Sequence, residues 1–240
     1  MALPKIDTPV YDLTLPVSNK LIKFRPFLVK EQKILMMALE SGDSETNERN
    51  IKQVLQNCLL TELDVDDLTL VDVEYYLLNL RARSVSEIVE SQYKCENEVE
   101  GKTCGTLMDV SINLLDLEVK NLDASNGLVQ LTDTISVKMK YPEYSIISAM
   151  QKSSEASDVI FELIASCIEY ILDGDTIYHA YESTTEELID FLGSLNNQQF
   201  AKIEEYFDKL PVIEKFVDIT CKKCGFQHHI EIRGLDNFFG

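Results

Sequence analysis

Residues 220–233 read "TCKKCGFQHHIEIR". Cys221 and Cys224 bracket two lysines, Gly225 follows, and an alternation typical of a strand begins after the glycine. Two thiols cannot close a tetrahedral metal site, so this pair has sulfur partners elsewhere, works as a redox pair, or has no chemistry. The redox reading fits poorly. A reactive C-x-x-C follows a strand and opens a helix whose N-terminus lowers a thiol pKa, whereas this one opens an alternating segment. His228 and His229 are adjacent, and neighbouring strand residues point to opposite faces, so at most one can approach a metal. Both read as ordinary strand residues.

A partner for the pair is found at residues 95–105, "CENEVEGKTCG". Both stretches end in Cys-Gly, and both run into alternating segments, "TLMDVSINL" (106–114) and "FQHHIEIRGL" (226–235). Two turn-then-strand units are how a zinc ribbon is built: each turn offers two thiolates, and the glycine lets the backbone bend around the sulfurs. Cys95, Cys104, Cys221 and Cys224 are therefore expected to hold one structural zinc. Four thiolates on zinc carry a net charge of about −2. Lys94, Lys102, Lys222 and Lys223 all lie within two residues of a candidate ligand and would favour thiolate over thiol. The competing reading is four unrelated cysteines. The first pair is C-x8-C, longer than the usual knuckle, and 116 residues separate the two stretches. Cys58 and Cys167 fall on apolar helix faces and read as small core residues.

Elsewhere the apolar period changes several times. Residues 10–25 alternate through Tyr11, Leu13, Leu15, Ile22 and Phe24 around a Ser18-Asn19 turn, which predicts a hairpin. Three helical periods follow, in 26–41, 49–60 and 70–90, separated by a polar loop and by the acidic "TELDVDDLT". Residues 106–141 read as strands, with a turn at "SNG" (125–127). Helical spacing returns over 157–172, then in "STTEELIDFLGSL", where Ser183 and Glu186 form the expected capping box, and in "NNQQFAKIEEYFDKLP". The chain finishes in short strands. This order predicts an α+β protein. Its parts are an N-terminal hairpin with a helical bundle (1–90), an inserted β-then-α region (111–216), and a discontinuous zinc-ribbon-like element (91–110 with 217–240).

The 240 residues carry a net charge of −19 and are 45% hydrophobic. That is enough apolar content for a real core. Such an acidic surface is a poor partner for nucleic acid or an anionic membrane, and it favours a basic protein partner. No apolar run approaches the roughly 20 residues that cross a bilayer, so a cytosolic protein with reduced cysteines is expected. No GxSxG, P-loop, GxGxxG or HExxH motif occurs. His179 reads as structural or solvated, and the carboxylates of "ELDVDD" and "YILDGD" as loops and turns. An enzyme is not expected. A zinc-ribbon adaptor binding a transcription or RNA-processing machine is the alternative that the cysteines alone allow.

Three segments carry a resemblance: "FRPFLVKEQKILMMALES" (24–41), "LTLVDVEYYLLNLRARSVSE" (68–87) and the Cys-Gly elements ending in "IEIRGLDNFF" (230–239). Together they resemble the baseplate-hub protein family of the T-even-like contractile-tailed bacteriophages. The resemblance implies a structural or assembly component of the tail hub, with other baseplate-hub or tail proteins as partners. It implies the host cytoplasm as the location during assembly and leaves the virion baseplate open. "KLIKFRPF" (20–27) and "LDNFFG" (235–240) are the expected contact surfaces, with Phe238 and Phe239 either packed on the ribbon or anchoring a partner.

Overall fold

A computed structural model describes residues 6–41, 44–122, 126–146 and 156–233; the expected contact segment 235–240 lies outside them. The protein is α+β, with helices and several small antiparallel sheets organised around three apolar cores.

The first core joins the hairpin β1 (Tyr11–Thr14) and β2 (Leu21–Phe24) to three helices, α1 (Val29–Ser41), α2 (Ser44–Cys58) and α3 (Leu70–Ser84). The alternation read from the sequence puts Leu15, Ile22 and Phe24 inside, where Phe24 meets Tyr76 edge-on at 5.5 Å. The Tyr76 hydroxyl donates to the Leu55 carbonyl at 3.1 Å, so a buried polar tip is satisfied. Asp72 is fully buried in the first turn of α3, and its carboxylate accepts from the Val17 and Ser18 N–H groups at 2.8 and 3.0 Å. That carboxylate fastens the hairpin turn to the helix. Glu31 is likewise buried. Burial pushes its carboxyl up, but the Arg25 guanidinium at 3.1 Å and the Leu28 N–H at 2.8 Å outweigh that and hold it below its ordinary value. Within "KLIKFRPF", Ile22 and Phe24 are thus buried and Arg25 half-buried; Lys20, Leu21 and Lys23 are its exposed members.

The second core lies between the sheet β11-β10-β9-β8 and three helices, α4 (Ala156–Ser166), α5 (Thr185–Gly193) and α6 (Asn197–Asp208). Its strands are β8 (Leu128–Gln130), β9 (Ile135–Met139), β10 (Ile168–Asp173) and β11 (Thr176–His179). Gly127 has φ +75°, and a Cβ there would sit 2.3 Å from the Met139 carbonyl oxygen, so only glycine fits this entry to β8.

The third core packs β3 (Ile88–Lys94) with β6 (Leu107–Asn113), and β7 (Glu118–Lys120) with β12 (Val212–Thr220) and β13 (Gln227–Arg233), against α3. Helix α3 is shared. Val73, Tyr76, Leu77 and Leu80 face the first core, and Leu78 and Ala82 face the third. A helix apolar on both sides is a buried one, and this one is the central post of the fold.

Four expected boundaries differ. The third helical period ends at Ser84, and Ile88–Lys94 is a strand. The helix over 157–172 stops at Ser166, and Ile168–Asp173 is a strand. In both places isoleucine and tyrosine, with Val89 in the first and Leu172 in the second, satisfy either period, and pairing with β6 or β9 decides. The capping box is Thr184 with Glu187, one residue later than expected, because it is Thr184 whose side chain reaches the N3 amide. Helix α2 also begins at Ser44, inside the expected polar loop.

Candidate metal centre

Strand β3 delivers Cys95, β6 departs just after Cys104, and the β12–β13 turn carries Cys221 and Cys224. The two turns are closed by the same pair of hydrogen bonds. In the first, the Gly105 N–H donates to the Cys95 carbonyl (2.9 Å) and the Cys95 N–H to the Thr106 carbonyl (2.8 Å). In the second, the Gly225 N–H donates to the Cys221 carbonyl (2.9 Å) and the Cys221 N–H to the Phe226 carbonyl (2.8 Å). Gly105 and Gly225 have φ of +65° and +73°, the left-handed region that glycine enters without penalty.

The long C-x8-C spacing has a structural explanation. The extra residues form a small hairpin, β4 (Glu98–Val99) and β5 (Lys102–Thr103), turned by Glu100 and Gly101, both at positive φ. Two consecutive positive φ angles are the signature of the tight turns that match strand twist. The hairpin loops out and returns Cys104 beside Cys95, with the Cys104 N–H on the Asn97 carbonyl at 2.7 Å.

All four Sγ atoms lie within 4.8 Å of one another, an arrangement that can hold a metal ion. The Cys95–Cys224 and Cys104–Cys221 separations are 3.6 and 3.9 Å, and no disulfide links them. Thiolates about 2.3 Å from a shared tetrahedral centre lie about 3.8 Å apart, close to these two separations. Cys95 and Cys221 are buried, while Cys104 and Cys224 are half-buried.

Each sulfur also has a hydrogen-bonding neighbour. His228 Nε2 is 3.1 Å from Cys95 Sγ, Thr106 Oγ1 is 3.3 Å from Cys104 Sγ, and Asn97 Nδ2 is 3.7 Å from Cys224 Sγ. The Cys224 and Lys223 backbone N–H groups point at Cys221 and pull its thiol down to about 6. The Thr106 contact lowers the Cys104 thiol, whereas burial pushes Cys95 up to about 12. A buried thiol of that kind loses its proton only to a strong neighbouring positive charge, which a metal ion supplies.

His228 is a residue whose role the sequence did not show. It is buried against Tyr93 and Phe226, whose rings meet it edge-on at 5.4 and 4.8 Å. His229 points the other way, hydrogen-bonded to Asp218 and stacked on Phe216. The alternation of strand side chains allows at most one histidine near the sulfurs, and the expectation that both are ordinary strand residues fails for His228, which strand register turns toward Cys95. Cys58 and Cys167 sit in the first and second cores with thiols raised to about 11 by burial. His179 stacks on Tyr181 at 5.0 Å, and Gly174 turns the β10–β11 hairpin where "DGD" falls.

The fold and site define a mixed helix-and-sheet protein in which two distant hairpins meet through four sulfurs. The family described as T4 bacteriophage base plate protein matches residues 8–240, and the chain belongs to it. Among curated proteins and among solved structures, none matches this chain. No helix among the described residues is long and apolar enough to cross a membrane.

Proposed function

We propose that this chain is a structural or assembly component of the baseplate hub, acting through contacts with other hub or tail proteins and not through catalysis. Family membership over nearly the whole chain carries this reading. We further propose that Cys95, Cys104, Cys221 and Cys224 hold one structural zinc. Four cysteine sulfurs without a carboxylate or an open position suit zinc in a closed site. On this reading the metal clasps 91–110 to 217–240 as one discontinuous unit, between an N-terminal region (1–90) and an inserted region (111–216). Its binding free energy appears as folding free energy. The protein would act in the host cytoplasm during assembly, and in the virion baseplate if it stays.

Elemental analysis of purified protein beside Cys221→Ser tests the metal. One zinc per chain, lost in the variant, is the expected result; a metal-free wild type that folds normally removes the zinc reading. Electron microscopy of particles from phage lacking this gene tests the role. Baseplates arrested without a hub are expected, and complete hubs would reject it.

A further inference from the structure

A small cavity of about 210 Å³ opens where the three cores meet. Its walls come from distant parts of the chain: Val17 from the first hairpin, Val71 from α3, Pro142 from the segment after β9, and Leu210 and Val212 from either side of the α6–β12 junction. Backbone bonds hold the walls in place, Leu70 N–H to the Pro142 carbonyl (3.0 Å) and Tyr144 N–H to the Leu68 carbonyl (2.8 Å).

Among the described residues lining this cavity, Glu74 is the charged one. Among the described residues no hydrogen bond or ion pair engages its carboxylate, and burial alone pushes it up. Glu74 is half-buried, so its carboxylate is partly desolvated, and a cation brought against it offsets that penalty.

The chemistry narrows the occupant. One carboxylate beside Thr69 and Tyr141, with the other described walls apolar, is a poor site for calcium or magnesium, which need about six oxygen ligands. The cavity is smaller than the roughly 300–1,000 Å³ of typical small-molecule sites. A lysine fits both features: its aliphatic stem lies along apolar walls and its ammonium is a compact point charge that needs no flat fork of acceptors. A chain with a net charge of −19 attracts basic partners and repels copies of itself.

We propose that the Glu74 cavity is a docking socket for one lysine side chain projecting from a partner protein. The socket adds a contact residue to the reading of this chain as an assembling subunit. Because it touches segments from all three cores, an occupied socket ties partner binding to their relative positions.

The test uses the full-length protein with ¹³C-labelled valine methyls and Nα-acetyl-lysine-N-methylamide as the probe. Saturable shifts are expected at Val17, Val71 and Val212, with apparent affinity about tenfold or more weaker for Glu74→Gln and for the uncharged norleucine counterpart. The remaining valine signals report that Glu74→Gln keeps the fold. No saturable shift, or shifts unchanged in Glu74→Gln or with norleucine, overturns the socket. Tighter binding of the arginine counterpart overturns the choice of lysine. The readout is independent of whether the chain is a hub protein, so failure of one reading is distinguishable from failure of the other.

Discussion

The N-terminal helical unit and the cysteine tip enclose their interiors by different means. The first surrounds Leu15, Ile22, Phe24, Leu55, Leu68, Tyr76 and Leu80 with apolar neighbours, and its buried polar groups Asp72 and Glu31 are satisfied from within. Among the described residues the tip buries Cys95, Met108, Cys221 and His228. A fully buried aliphatic or aromatic side chain contributes about 1.5–3 kcal/mol, so the first unit has an ample apolar interior and the tip does not. The tip has four converging sulfurs and a set of donors aimed at them. One region is held by area removed from water. The other brings four sulfurs close enough together that they could hold a metal ion.

The comparison breaks most visibly on metal removal. With zinc in place, structural sites of this type contribute apparent binding free energies of about 10–16 kcal/mol. Chelation by a strong chelator is therefore expected to abolish amide protection around residues 95–105 and 221–225 while α1–α3 stay protected, as read by hydrogen exchange. Unchanged protection at the tip would show that it folds on its own.

Phe24→Ala attacks the other region. Removing a buried aromatic costs about 3–5 kcal/mol, so the midpoint of denaturant unfolding of the N-terminal unit should fall sharply with zinc content unchanged. Parallel loss of zinc would mean the two regions unfold as one.

His228→Phe keeps the ring packed against Tyr93 and Phe226 but deletes the contact to Cys95. Outer-shell contacts of this kind are worth about 10–100-fold in metal affinity. Competition with a chromogenic chelator should register that loss, with little change in the thermal midpoint of the zinc-loaded protein. Equal affinity would leave His228 a packing residue only.

The smallest effect is expected at the knuckle glycine. Gly225→Ala meets no atom within 4 Å, so its cost is purely conformational. Left-handed backbone disfavours a non-glycine residue by about 1–2 kcal/mol. A modest drop in tip stability with zinc still bound is the expected calorimetric result, and no drop would mean the turn relaxes to another shape.

Much of this was legible in the sequence. The alternations at 11–24 and 135–139 and the helical periods of α1, α5 and α6 each follow from local spacing of apolar residues. The kinship of the two Cys-Gly turns was visible as well, because each turn must solve the same local problem of folding backbone around sulfur. Strands β3 and β10 were not legible as strands. Their residues suit either period, and only the partner strand arbitrates.

The sequence by itself determined that the protein is α+β and acidic, and that it carries two matching thiol turns, since composition and local periodicity are properties of short segments. Only the tertiary structure decided the rest. It folded eight residues between Cys95 and Cys104 into an outlying hairpin, brought four sulfurs within 4.8 Å, turned His228 and not His229 toward them, and left Glu74 in a cavity walled by distant segments. These features depend on register and on contacts across long stretches of chain. No local pattern encodes them, because the same residues satisfy their local preferences whether or not the distant partner arrives.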